Sequence, residues 1–102
     1  MCDITLEKKP QVRSGYMDIM LNGEIPIGYI DESGNTLVKI EIEKPFREKG
    51  YGKKAVKAWV ERNENNYRKL ETTAVIDDRM TRIMESLGFS MIKGTGRFVY
   101  ST

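Results

Sequence analysis

The chain predicts one mixed α/β (α+β) domain over residues 1–102, a mostly antiparallel sheet with a strand–loop–helix–strand unit at its centre. Three features carry that expectation. The N-terminal half alternates apolar and polar residues and is broken by two turn signals. After Gly50-Tyr51-Gly52 the apolar period switches to helical spacing. A further strand, helix and glycine-bearing hairpin then complete the chain.

The elements follow in order. Residues 1–14 supply one short strand, Ile4-Thr5-Leu6, before the polar stretch Glu7–Ser14. Tyr16–Leu21 and Ile25–Ile30 flank Asn22-Gly23-Glu24, and Asn-Gly between apolar runs is the strongest short hairpin signal. Glu32-Ser33-Gly34-Asn35 turns the chain into Thr36–Glu43, which alternates strictly. That pattern sets Val38, Ile40 and Ile42 under a helix and leaves Lys39, Glu41 and Glu43 near solvent or a cleft. Ala55, Val56, Trp59 and Val60 form the inner stripe of the first helix, which fades in Asn63-Glu64-Asn65-Asn66. Leu70–Ile76 reads as a strand, and Asp77 or Asp78 as the N-cap of a second helix with the stripe Met80, Ile83, Met84 and Leu87. Gly88 suits the C′ position. Phe89–Ile92 and Arg97–Tyr100 close the sheet around Gly94-Thr95-Gly96.

Composition removes several classes of function. With 39% hydrophobic and 31% charged residues, the chain reads as a soluble globular domain. Its 17 Lys+Arg against 15 Asp+Glu leave +2, too balanced for a protein whose main task is to neutralise a nucleic-acid backbone. No apolar run spans a membrane, and Met1-Cys2-Asp3-Ile4-Thr5 lacks the features of a secretory signal, so a cytoplasmic location is expected. The lone Cys2 excludes an internal disulfide and a paired-cysteine zinc site. There is no histidine, so Ser–His and Cys–His machinery is absent and no metal site is expected. Chemistry must rest on carboxylates, tyrosine, backbone dipoles or water.

The segment from Ile40 to Ala55 carries the chemistry. A strand ends, a loop turns on Gly50 and Gly52, and an amphipathic helix begins. The first N–H groups of a helix lack internal acceptors and sit at the positive end of its dipole, so the turn is an anion cradle. Arg47, Lys49, Lys53, Lys54 and Lys57 add positive charge around it. Gly50-x-Gly52-x-x-Ala55 fits a dinucleotide fingerprint only superficially, because antiparallel hairpins precede it. No Gly-Lys-Ser/Thr follows, which excludes a Walker A loop.

Arg47-Glu48-Lys49-Gly50-Tyr51-Gly52 matches the pattern Arg/Gln-x-x-Gly-x-Gly/Ala, and Glu85-Ser86-Leu87-Gly88-Phe89 ends a helix in Leu-Gly-Phe. On these two motifs, in their order and spacing over about residues 16 to 100, the chain resembles the GNAT superfamily of N-acetyltransferases. The resemblance implies acetyl-CoA as cofactor, with the diphosphate of coenzyme A on Arg47, Glu48, Lys49, Gly50, Tyr51, Gly52 and Lys53. It also implies pantetheine along the backbones of Ile40, Glu41 and Ile42, in a gap between Ile40–Glu43 and Thr72–Val75. The two helices that many members place between their first strands are lacking here. That leaves an open acceptor side, suited to a peptide or protein.

Attack by a lysine-like amine needs a base, and Glu41 and Glu43 on the polar strand face are the best-placed carboxylates, with Glu71 behind them. The tyrosine that often protonates the departing thiolate falls at Met84, which also belongs to the apolar stripe. Tyr51, Tyr67, Tyr100 or water then remain as acids. The leading expectation is an N-acetyltransferase acting on a primary amine in a ternary complex. Its alternative is a catalytically degenerate CoA-binding or protein-interaction module. Nucleic-acid binding through Lys49, Lys53, Lys54 and Lys57 ranks last. Trp59 and Tyr100 fit either the core or the interface of a homodimer.

Overall fold

The computed structural model describes residues 3–8, 14–73 and 78–101. Its elements are β1 (Ile4–Glu7), β2 (Tyr16–Leu21), β3 (Ile25–Ser33), β4 (Thr36–Ile42), a 3₁₀ turn (Lys44–Phe46), α1 (Tyr51–Asn63), β5 (Lys69–Thr72), α2 (Asp78–Ser86), β6 (Ser90–Ile92) and β7 (Arg97–Ser101). Two tight turns build the first half of the sheet. Asn22 and Gly23 both hold positive φ, 55° and 72°, as a type I′ hairpin requires. Gly34, at φ 59°, opens the two-residue turn between β3 and β4. The strands lie in the order β1-β2-β3-β4-β5-β7-β6, and the β4–β5 pair is parallel while the other pairs are antiparallel. The α1 crossover makes that parallel pair, as a βαβ connection must.

Both helices bury their stripes on one face of this sheet. Ala55, Val56 and Trp59 of α1 are fully buried and Met84 of α2 nearly so, against Met17, Ile19, Ile30, Leu37, Leu70 and Phe98. Burying each large apolar side chain contributes roughly 1.5–3 kcal/mol. Trp59 therefore belongs to the core, and its indole N–H donates to Glu32 Oε1 at 3.0 Å. Tyr100 is half-buried with its ring 5.2 Å from that of Phe89. The end of α2 forms a Schellman motif: Gly88, at φ 97°, donates to Glu85 O and Phe89 to Met84 O.

One expected face is corrected. Asp31 pairs with Lys39 but Glu32 pairs with Leu37, so Val38 is an extra residue, a β-bulge in β4. The bulge resets the alternation: Leu37 is buried at 3% and Val38 is 40% exposed, while Ile40 and Ile42 stay on the helix side. Phe89 lies just outside β6, β3 runs on to Ser33, and the predicted strand over 70–76 is described through Thr73. Cys2 and Asp77 lie outside the described residues. No helix among the described residues is long and apolar enough to cross a membrane.

Candidate functional site

The site begins where β4 leaves β5. Thr36 pairs with Glu71 and Leu37 with Thr72; then Thr73 N–H donates to Leu37 O at 3.1 Å and Thr73 Oγ1 to Val38 O at 2.9 Å. On the other edge β4 stays paired with β3 through Ile42, and Glu43 N–H donates to Ile27 O at 2.7 Å. Antiparallel strands alternate the direction of their polar groups. Glu43, Glu41 and Lys39 thus turn theirs toward β3, while Ile40 and Ile42 turn theirs toward the β5 side. There the Ile42 carbonyl accepts Arg47 Nε at 2.7 Å. The predicted far wall of the gap, Thr72–Val75, is described only through Thr73.

From Ile42 the chain passes through the 3₁₀ turn, whose Pro45 suits its first turn, and reaches α1 in eight residues. Gly50 caps α1 in the left-handed region, φ 83° and ψ 5°. Space does not demand glycine there, because an added Cβ would meet nothing among the described residues within 4 Å; the backbone conformation does. The cap side is open, and the first-turn N–H groups have no acceptor inside the helix. Lys49, Lys53 and Lys54 are exposed around it. Gly52 faces α2, where an added Cβ would lie 3.5 Å from Ile83 Cδ1.

The open sheet face carries a cleft of about 340 Å³ lined by Asp18, Tyr29, Glu41, Glu43, Lys44 and Arg47 among others. Its centre is a row across three strands, since Asp18 pairs with Tyr29 and Tyr29 with Glu41. Tyr16 stacks on Tyr29 with ring centroids 5.2 Å apart. Lys39 Nζ sits 5.7 Å from the Tyr29 centroid, and its pKa is raised, first by the hydrogen bond to the Tyr29 phenol and then by the charges of Tyr29 and Glu41. Sequence reading missed Tyr16, Asp18 and Tyr29. The signal was present as alternation with Met17, Ile19 and Ile30, but only strand register shows that they share a face with Glu41.

The predicted residues thus fall into two groups joined by β4. Glu41 and Glu43 line the cleft, and Ile40 and Ile42 turn backbone toward the seam. Glu48 through Lys53 form the turn and first helical residues. The Arg47 guanidinium turns back to β4, donating to Ile42 O with Nη2 4.0 Å from Glu41 Oε1. Glu71 lies beside Thr36, about 17 Å along β4 from Glu41 at the usual strand rise, too far to share its cleft. Met84 is 1% exposed and is core. Tyr67 follows the far end of α1, and Tyr100 lines a separate cavity of about 440 Å³ with Lys57 and Leu87. Of the three expected tyrosines, Tyr51 alone belongs to the turn.

No family model and no curated protein sequence matches the chain. Solved structures do. An acetyltransferase from Thermus thermophilus superposes with a TM-score of 0.69 at 20% identity over 85% of this chain and 63% of its own. A GNAT-family acetyltransferase from Bacillus anthracis gives 0.63 at 19% identity, over 87% of this chain and 66% of its own. The GNAT-family N-acetyltransferase YhbS from Escherichia coli, solved in complex with CoA, gives 0.57 at 16% identity, over 84% and 57%. The chain has the GNAT acetyltransferase fold and spans about three-fifths to two-thirds of these neighbours' lengths.

Proposed function

We propose that the chain transfers an acetyl group from acetyl-CoA to a primary amine, carried by a peptide or protein, by direct attack in a ternary complex. The observation that carries this reading is one continuous path: the outward-turned backbone of Ile40 and Ile42 leads within a few residues to the open, left-handed cap of α1. The residues fit such a molecule. A diphosphate approaching Gly50 meets no Cβ, and among the described residues beyond its chain neighbours no atom lies within 4 Å of where one would be; it also faces the positive end of a 13-residue helix.

When bound, acetyl-CoA supplies an activated acyl group; the chain's own residues hold and prepare the reactants. First-turn amides of α1 would hold the diphosphate, and Ile40 would offer its backbone groups and Ile42 its N–H along the seam, the Ile42 carbonyl being taken by Arg47. A backbone N–H there can also stabilise developing oxyanion charge without a special side chain. Holding a lysine-like amine neutral at pH 7 costs about 4.6 kcal/mol, so a base is required. Glu41 and Glu43, lining the cleft on the open face, take that proton directly or through a water. Aligned donors of this kind and a positioned base are what acyl transfer to an amine needs.

The burial of Met84 where many members carry a tyrosine favours a second reading, a CoA-binding module without turnover. Incubation with acetyl-CoA and a panel of lysine peptides separates the two. Thiol release with a mass gain of one acetyl group supports the transferase; CoA binding with no turnover on any peptide supports the module.

A further inference from the structure

Glu48 breaks two local rules at once. It is a carboxylate inside a turn read as an anion site, and it holds φ 64°, a left-handed conformation that side chains other than glycine seldom adopt. Its Oε1 accepts Arg79 Nη2 at 2.7 Å, from the first turn of α2. Both side chains are 69% exposed, so as a surface ion pair this contact adds little to folding. Its position is what matters. It joins the turn before α1 to the start of α2, and Ile83 of α2 lies against the Gly52 position of α1.

We propose that Arg79 is a positioning residue for the diphosphate site: it neutralises the Glu48 carboxylate and holds it aside, so that the turn accepts an anion. The proposal rests on the CoA reading above and adds to it a residue 31 positions from Glu48, outside the Arg47–Gly52 motif. Arg79 acts here through Glu48. Removing it exposes a full negative charge beside the incoming diphosphate, and removing Glu48 as well abolishes the need for it.

The test is calorimetric titration of the full chain with CoA at low and high salt, for wild type, Arg79→Gln, Arg79→Lys, Glu48→Gln and the Arg79→Gln/Glu48→Gln double variant. Arg79→Gln is expected to weaken CoA about threefold to tenfold at low salt, the size of a coupled charge pair, and less at high salt. Arg79→Lys should restore most of the affinity, and in the Glu48→Gln background Arg79→Gln should weaken CoA no further, so that the double variant matches the Glu48→Gln single variant. Thermal melting of the unliganded variants accompanies the titrations. A merely structural role would lower melting and weaken CoA alike in both backgrounds and at both salts. Equal weakening by Arg79→Gln with and without Glu48 overturns the proposal, as does no weakening in either. A wild-type chain that does not bind CoA overturns the underlying reading instead.

Discussion

The Thr73 hydroxyl donates to the carbonyl of Val38 at 2.9 Å, and Val38 is the residue that the bulge adds to β4. The same Thr73 donates its amide to Leu37, so one residue closes the last described rung between β4 and β5. Thr73→Val removes the hydroxyl rung and keeps the shape. Net loss of one such hydrogen bond costs about 0.5–1.5 kcal/mol. Urea unfolding should register that decrease, and the variant should also bind CoA more weakly because the start of the seam is no longer fixed. Unchanged stability together with unchanged affinity would remove Thr73 from this role.

The two glycines of the turn should answer oppositely to alanine. Gly50 needs its positive φ, so Gly50→Ala should cost about 1–2 kcal/mol despite the open space around it. Gly52 lies inside the helix with only Ile83 Cδ1 at 3.5 Å, so Gly52→Ala should be neutral or stabilise by up to about 1 kcal/mol. Thermal melts of the pair check the contrast. Larger side chains at Gly52 should lower CoA affinity with the fold retained by circular dichroism.

If Glu41 or Glu43 is the base, its replacement by Gln should lower kcat about 100-fold or more and erase the acidic limb of the pH–rate profile. The two lie on the same cleft, so the variant that loses the limb identifies the base. An intact limb in both single variants and in the double variant would assign proton removal elsewhere.

Lys39 gives a pH prediction with a definite sign. The Tyr29 phenol hydrogen bond is the first cause of its raised pKa, followed by the charges of Tyr29 and Glu41. A lysine raised in the folded state stabilises below its unfolded pKa and loses that contribution as pH rises through the folded value. NMR titration of the Lys39 ammonium should place its midpoint above the ordinary lysine value, and Tyr29→Phe should bring it down. A midpoint that Tyr29→Phe leaves untouched would contradict the assigned cause.

Much of this fold is legible in the sequence because local signals agree. Asn22-Gly23 can scarcely be other than a primed turn, Ala55, Val56, Trp59 and Val60 lie on one helical face, and Gly88 ends α2 through its positive φ. Strict alternation misplaces Val38 because it cannot reveal an extra residue; the bulge exists only in its pairing with Asp31 and Glu32. The turn before α1 is legible as a motif, since it is contiguous. The cleft is legible only on its β4 side. Asp18 and Tyr29 meet Glu41 through register, and Arg79 meets Glu48 through the docking of α2, neither of which a linear pattern encodes. The hydrogen bond from Arg47 to the Ile42 carbonyl is likewise a product of the fold that the motif does not encode.

The most direct measurement is an NMR titration of the labelled chain with CoA, following backbone amides. Gly50, Tyr51, Gly52 and Lys53 should shift together with Ile40 and Ile42, saturating at one equivalent, while the amides of β1 and β6 stay in place. Saturable CoA binding that moves neither α1's first turn nor the outer edge of β4, or no binding at all, would contradict it.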